Sequence, residues 1–503
     1  MAKKQIKEQI IKRAPIVAIM GHIDHGKSTL LDYIRKTNTV DKEAGGITQH
    51  VASYEAEYKG KKITFIDTPG HEAFAAARAR GANIADIAIL VVSADDGVSA
   101  QTIGALKFIK DSKIPFIVAI NKIDKANADI EKTKNSLLEN AVYLEGMGGD
   151  ISYNEISALK GTGVDELLET ILLTADLEDL TTDLSKPGSG FILESKMDSK
   201  KGISSTLIIK DGTLKSGKYI VSGFASSPIR IMENFNGEKI KEATAPMPVE
   251  IVGFDILPES GNSFTVFENK KEALKFICEL KSLQDEKERN ESINQKMFIK
   301  NKKNVLPLVL KADVTGSLDA IKYELGKLDN DRTEFKIVLE GSGNINESSI
   351  KAIGGVPNAT IIGFQVNVEK NAQFLADNLD IQIKTFDIIY DLVEFLEKRM
   401  AELTPKEKFE EISGEAKILK VFSWTNKGGV VGGEVTTGEL KKNNILKIFR
   451  RNEFIGKATI KQLQSGKKDI ESVLEENQFG MNVASKLEIV QGDIVKSIEI
   501  IEK

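Results

Sequence analysis

The sequence predicts a multidomain chain of the α/β-plus-β class. It reads as an N-terminal α/β domain with a parallel sheet, a β-barrel, a small α/β/α layer domain and a C-terminal β-barrel. Three observations predict this. Short apolar runs rich in β-branched residues alternate with helical stretches as far as about residue 178, the pattern of strands buried on both faces. From about 190 to 270, and again from Gly414 on, short alternating strands are separated by turn pairs such as Asp211-Gly212, Ser216-Gly217 and Asn236-Gly237. Between these two regions strands and helices alternate once more. The length of 503 residues suits three to five domains, at about 100–200 residues each.

Composition bounds the function. With 41% hydrophobic and 28% charged residues, disordered and collagen-like classes are excluded. The single cysteine, Cys278, excludes an intrachain disulfide framework and a four-cysteine zinc site, and fits a reducing, cytoplasmic compartment. No apolar run approaches the roughly 18–20 residues that cross a bilayer. The start lacks the apolar core and cleavage site of a signal peptide, so no membrane is expected as a partner. A net charge of −5 excludes a uniform cationic coat for nucleic acid, but not a local basic or aromatic patch. All four histidines, His22, His25, His50 and His71, fall within the first 71 residues. They suggest either a metal site or loops selected for another purpose, and the motifs around them favour the loops.

Lys3–Arg13 reads as a short basic helix occupying residues 1–13, and the α/β domain spans 14–178. Ala14–Met20 is a buried strand. Gly21-His-Ile-Asp-His-Gly-Lys-Ser28 follows it and matches G-x-x-x-x-G-K-[ST], and Thr29 opens a helix. The glycines let the loop curl so that the amides of Asp24, His25, Gly26 and the residues through Thr29 face phosphate oxygens, with the helix N-terminus behind them. Lys27 would reach the β- and γ-phosphates and the Ser28 hydroxyl would bind Mg²⁺. Gly45-Gly-Ile-Thr48 offers Thr48 as a second metal hydroxyl. The strand Lys62–Asp67 ends in Asp67-Thr-Pro-Gly70, where Asp67 can hold Mg²⁺ through water and the Gly70 amide can sense a γ-phosphate. Further buried strands are Ala85–Ser93 and Ile114–Ile120, the second leading into Asn121-Lys122-Ile-Asp124. A carboxylate at Asp124 accepts from both N1–H and N2–H₂ of guanine, a donor pair that adenine lacks. Ser157, Ala158 and Leu159 supply amides for the guanine O6. Together these motifs make the first domain a P-loop GTPase domain that takes GTP/GDP and Mg²⁺, with ligand at the strand C-termini.

Leu180–Gly190 reads as a linker by its turn residues, and 179–271 as the first β-barrel. Segment 272–303 reads as a charged helical linker ending in Lys300-Asn-Lys-Lys303, a solvated face or a contact for RNA phosphates. Residues 304–387 form the layer domain, in which Glu340-Gly-Ser-Gly343 is a turn. Residues 388–410 form a linker helix that Pro405 interrupts. From 411 to 503 alternating strands return, and Thr437-Gly-Glu-Leu-Lys441 echoes Asp211-Gly-Thr-Leu-Lys215. This last segment holds 15 basic and 13 acidic residues and the sole tryptophan, Trp424. One or two of its aromatics would form a pocket for a side chain or a tRNA end.

Gly21–Ser28 and Asp67-Thr-Pro-Gly-His71 resemble the translational GTPases. Arg13–His22, Gly45–His50, Asp67–Phe74, Arg78–Ala82 and Val91–Gly97 resemble bacterial translation initiation factor 2 in particular, and the likeness runs to the C-terminus. The resemblance implies that His71 orients the attacking water behind an apolar gate of Ile23 and Ile47. It implies a factor that binds initiator methionyl or formylmethionyl tRNA to the small (30S) ribosomal subunit, promotes joining of the large (50S) one, and acts beside other initiation factors. Hydrolysis would be triggered by the ribosome. The tRNA end would be gripped by Gly432, Gly433, Glu434, Phe479 and Gly480. Gly433 and Phe479 stand where the family often carries cysteines, and Leu463–Asp469 replaces a more basic stretch, so a reshaped pocket is expected. The family's long N-terminal extension is also absent from this sequence. Two other readings are an elongation-type carrier of another aminoacyl-tRNA, against which the layer domain argues, and a GTP-regulated ribosome-binding module without a tRNA role.

Overall fold

Strands that read as uninterrupted apolar runs are those with no exposed face. In the computed structural model, Ile16–Gly21 and Ile87–Ser93 are buried at every position, as helices on both sides of a sheet require. The structure describes residues 10–36, 47–198, 200–291, 304–329, 333–403, 408–425, 427–466 and 468–502. Contacts divide the chain into two units, Met1–Leu403 and Thr404–Lys503.

In the first unit, six strands lie in the order Ala52–Tyr58, Lys61–Asp67, Ile16–Gly21, Ile87–Ser93, Phe116–Asn121, Tyr153–Glu155. All neighbours run parallel except the edge hairpin Ala52–Tyr58 with Lys61–Asp67. Alternate residues serve opposite faces. Val17, Ile19, Ile87 and Ile89 pack against Leu30, Leu167 and Ile171. Ala18, Met20, Ala88 and Leu90 pack against Ala77, Ala82, Leu106 and Ile109. The strand ends on one side carry every nucleotide motif.

The N-terminal segment departs from expectation. Ile10–Lys12 is a strand, antiparallel to Thr181–Asp183, where a helix over 1–13 was expected; residues 1–9 lie outside the described set. Two isoleucines in three residues favour an extended chain once a partner strand is at hand. The same pairing means that Leu180–Gly190 is not a free linker. Arg13 adjoins the small sheet and forms a buried bidentate pair with Asp86, at 2.6 and 2.7 Å.

The first barrel is a seven-stranded antiparallel sheet running from Ser189–Asp198 to Ser263–Phe267, with Thr213–Lys215 paired to Glu242–Thr244. Ile192, Leu207, Ile251 and Phe264 fill it. The helix Lys270–Glu291 begins as part of this body: Ala273 and Ile277 pack on Val221, and Phe276 lies 5.2 Å from Phe267, ring to ring. The rest of the expected helical linker, including Lys300–Lys303, lies outside the described residues.

The layer domain has four parallel strands in the order Thr333–Ser342, Asn304–Ala312, Thr360–Phe364, Gln382–Phe386. Helix Thr315–Leu328 covers one face and Lys370–Asn378 the other. The turn expected at Glu340–Gly343 falls later than the sequence suggested: Glu340, Gly341 and Ser342 still pair as strand with Leu310, Lys311 and Ala312, and the chain turns only at Gly343, at φ +103°. The helix Ile389–Leu403 was expected as a linker, but it buries Ile389, Leu392 and Leu396 in the core that the layer domain shares with the GTPase domain.

In the second unit, Lys408–Thr425, Ile494–Glu502, Ile445–Arg450, Glu453–Ser465, Gln478–Ala484 and Gly428–Lys441 pair in sequence, and the last pairs back with the first. This closes a barrel and removes free edges. The sequence echo has a structural counterpart. Leu214 faces Ala243 across one short ladder and Leu440 faces Val473 across another, and both leucines are fully buried.

Candidate functional site

The phosphate loop is built from a strand that must turn at once. Gly21 has φ +147°, and a Cβ there would lie 2.4 Å from the Val91 carbonyl oxygen. Gly26 has φ +84°, and a Cβ would meet Asn121 Nδ2 at 2.4 Å. Neither position admits a side chain. Ile23–His25 forms a single 3₁₀ turn and helix Lys27–Arg35 follows Gly26, so helix dipole and loop amides converge on one concavity. Within it lies the buried Lys27, whose Nζ donates to the His22 carbonyl at 2.6 Å. Burial lowers its pKa to about 8, against the pull of nearby Asp67.

The candidate metal residues come together although they lie far apart in sequence. Ser28 Oγ is 2.8 Å from Thr48 Oγ1, and Thr48 Oγ1 donates to Asp67 Oδ2 at 3.5 Å. Two hydroxyls and one carboxylate beside a phosphate cradle form a hard oxygen donor set, which suits Mg²⁺ shared with phosphates. Gly70 closes over the loop, since a Cβ there would lie 2.7 Å from Lys27 Nζ and 3.0 Å from the Ile23 backbone. Ile23 and Ile47 are both half-buried, Ile23 against the Gly70 segment and Ile47 next to Thr48. Gly45 and Gly46 lie outside the described residues.

Asn121 is the hinge of the base-recognition half. Its Nδ2 donates to the His25 carbonyl at 2.8 Å and its Oδ1 accepts from the Ala158 amide at 2.9 Å. It therefore joins the phosphate loop to the Ser157–Leu159 loop, and the Ala158 amide is engaged within the protein. Ser157 Oγ donates to Asp124 Oδ1 at 2.7 Å; that bond is the leading reason the Asp124 carboxyl lies below the usual range. Lys122 adopts φ +63°, which turns the chain between Asn121 and Asp124. Leu159 is exposed, and Thr29, Ala158 and Leu159 line a cleft of about 650 Å³ with Asp32 and Tyr33.

His71 caps the turn Glu72–Phe74, its Nδ1 accepting from the Ala73 amide at 3.0 Å. Burial, with Lys327 and Arg78 nearby, lowers its pKa to about 4, so it is neutral at physiological pH. The other three histidines have hydrogen-bond partners of their own, and the His22 and His25 rings also touch edge to face, with centroids 4.9 Å apart. His22 meets Gln101 at 2.6 Å, His25 meets the Val91 carbonyl at 3.2 Å, and His50 meets Gln365 at 2.6 Å and Asp313 at 3.2 Å. Among the described residues no three His, Cys, Asp or Glu side chains form a metal set.

Sequence reasoning missed four residues around these loops. Arg78 is buried and donates to the carbonyls of Pro69, at 3.1 Å, and His71. Gln49 bonds the chain at Asp387 and Ile389. Glu72 is bonded by Tyr323 at 3.0 Å and paired with Lys327 at 3.1 Å. The Tyr390 ring contacts the His71 ring. Only Arg78 left a local trace, as an arginine on an alanine-rich helix, where a buried guanidinium needs partners.

In the second unit the candidate tRNA residues face each other across one ladder: Gly432 opposite Gly480, Gly433 opposite Phe479 and Glu434 opposite Gln478. A Cβ at Gly433 would lie 2.9 Å from Phe479 Cζ and 2.3 Å from the Lys417 carbonyl oxygen. The buried Phe479 ring thus occupies the space that Gly433 leaves. Beside the pair, the Phe422 ring covers Gly432 and is 63% exposed.

Comparison with known proteins places these sites in context. Residues 12–176 match the family model of the elongation factor Tu GTP binding domain, 187–267 that of elongation factor G domain 2, and 279–397 that of translation-initiation factor 2. The chain is 41% identical to a translation initiation factor IF-2 of Halothermothrix orenii, covering 98% of this chain and 73% of that protein. It is 39% identical to the corresponding protein of Carboxydothermus hydrogenoformans, covering 98% and 60%, and 39% identical to a chloroplastic one of Rhodomonas salina, covering 99% and 67%.

Proposed function

Because the chain belongs to the translation initiation factor IF-2 family and carries a translational GTPase domain, we propose that it brings initiator tRNA to the small ribosomal subunit, promotes joining of the large one and hydrolyses GTP when the ribosome triggers it. The observation that carries the GTP-dependent half is the convergence of Lys27, Ser28, Thr48, Asp67 and Gly70 on one concavity, with Asp124 on the same side of the sheet.

Asp124 accepts from guanine N1–H and N2–H₂, held in place by Ser157. Lys27 and the amides from Asp24 to Thr29 neutralise and orient the phosphates. Ser28, Thr48 and Asp67 would hold Mg²⁺, which would offset phosphate charge. Gly70 donates its amide to a γ-phosphate, so the loops around Thr48 and Gly70 tighten with GTP and relax with GDP. His71, neutral for the reasons above, orients a water that Ile23 and Ile47 screen from bulk solvent. Gly432, Gly433, Glu434, Phe479 and Gly480, with the exposed Phe422 ring beside them, take the aminoacyl end of the tRNA. Filling by Phe479 narrows that site. The setting is the cytoplasm, beside the other initiation factors; among the described residues no helix is long and apolar enough to cross a membrane.

The test is protection of the aminoacyl ester by the full-length protein, with formylmethionyl, methionyl and elongator tRNAs offered in turn. Slowed ester hydrolysis for the initiator forms alone is the expected result. Equal protection of elongator tRNA would favour a carrier, and protection of none would remove the tRNA role.

A further inference from the structure

The two nucleotide-facing loops are both tied to one short piece of the layer domain, the start of helix Ile389–Leu403. Gln49, next to the candidate metal residue Thr48, donates from Nε2 to the Asp387 carbonyl at 2.9 Å and accepts the Ile389 amide at Oε1 at 3.2 Å. Gln365 donates to the same Asp387 carbonyl at 3.1 Å. One residue further on, the Tyr390 ring meets the His71 ring edge to face, with centroids 4.6 Å apart and planes at 81°. Helix Thr315–Leu328 holds the neighbouring Glu72 through Tyr323 and Lys327.

In this arrangement His71 is spoken for. Its Nδ1 accepts the Ala73 amide proton, so the neutral ring carries its own proton on Nε2 and has no lone pair left for a water proton. An Nε2–H can only draw on the water's lone pair, which weakens the nucleophile. To accept from water, the ring must leave the Ala73 amide and swing off Tyr390.

We propose that Tyr390 is a positioning residue for hydrolysis, holding His71 in this parked orientation so that turnover stays low until the helix start moves. This rests on the reading of His71 as the residue that orients water. A displacement at the start of helix Ile389–Leu403 would release His71 and loosen Gln49 together, linking the layer domain to both loops.

The experiment is ribosome-free GTP turnover by the full-length protein. Tyr390→Ala should raise kcat about two- to tenfold, the range an aromatic pair represents, with KM unchanged. Tyr390→Leu, which keeps apolar bulk, should do the same, and Tyr390→Phe, which keeps the ring, should restore the low rate. Adding His71→Ala to Tyr390→Ala should cancel the rise. Tyr390 is half-exposed, and unchanged GDP affinity would show the variants folded. With only four histidines in the chain, histidine-labelled NMR gives a second readout. Loss of the Tyr390 ring should move the His71 resonance and raise its titration from about 4, with Glu72, Arg78 and Lys327 still around it. An unchanged or reduced rate in Tyr390→Ala, or a rise that persists without His71, overturns the proposal. His71→Ala alone, assayed with ribosomes, separates the premise: retained stimulated turnover defeats the reading of His71 and the proposal with it. Abolished turnover beside an unaltered Tyr390→Ala defeats only the proposal.

Discussion

Asn121 shows what a single side chain contributes here. It is 1% exposed and satisfies a carbonyl of the phosphate loop and an amide of the Ser157–Leu159 loop at once. Only an amide offers a donor and an acceptor in that geometry. Asn121→Ala would leave both backbone groups buried without partners, at a cost of roughly 1–3 kcal/mol each. We expect urea unfolding of the nucleotide-free protein to show a loss of about 2 kcal/mol or more; an unchanged midpoint would mean that the two loops do not depend on the bridge. Asn121 was legible in the sequence because its motif is four residues long and follows a buried strand. Gln49, Glu72 and Tyr390 were not. Each pairs with a residue more than 200 positions away, joining the GTPase domain to the layer domain and the helix that follows it, and no local pattern encodes such a pairing. The Gly433–Phe479 pair lies between these cases. The sequence showed two unusual residues, and the ladder shows that one fills the space the other vacates.

At the scale of elements, periodicity predicted type well and partner poorly. The apolar stripe of Ile389–Leu403 said helix, but nothing in it said that Leu392 and Leu396 would find a core rather than solvent on either side of a linker. The same ambiguity hid the strand at Ile10–Lys12, which is too short to have a period and owes its form to Thr181–Asp183. The strand Ser189–Asp198 carries a further consequence of packing. Glu194 on it bonds the Val51 amide at 3.2 Å, next to a cavity of about 250 Å³ shared with His50, Lys196 and Asp313. Desolvation pushes Glu194 up to about 7, with Asp313 reinforcing it and His50 and Arg80 opposing. For an acid with a raised pKa, the folded state binds the proton more tightly than the unfolded chain does. Its contribution to stability is therefore full below about 4.5 and is lost as pH rises through about 7. Subtracting the stability profile of Glu194→Gln from that of the native protein should leave a difference that falls across this window and is flat on either side. A difference rising with pH would place an ionised Glu194 in the fold.

The whole molecule consists of two units with separate cores, and that separation should appear in its thermodynamics. Lys408–Glu502 closes on itself through six paired strands around Ala416, Ile418, Leu446, Ile460 and Val495. A sheet without edges and with its own apolar interior needs no other surface to satisfy its backbone. The sequence indicated strands there, while closure depends on pairing between the first and last segments, Lys408–Thr425 with Ile494–Glu502, which no local signal fixes. In Met1–Leu403, by contrast, the GTPase and layer domains share one continuous core that runs from Met20 and Leu90 to Leu318 and Ile389. A ligand of the P-loop binds the native first unit and not its unfolded form. At a hundred times its Kd, GDP should therefore add about 2.7 kcal/mol to that unit, and the shared core should spread the gain over the layer domain as well as the nucleotide loops. Hydrogen exchange read by mass spectrometry can follow both units in one sample. The slowest amides of 10–403 should gain protection with GDP, including those of strands Asn304–Ala312 and Thr360–Phe364, and those of 408–502 should exchange as before. Equal protection in the barrel would mean that its stability is coupled to the nucleotide, and gains limited to the phosphate loop and its neighbours would mean that the layer domain unfolds on its own.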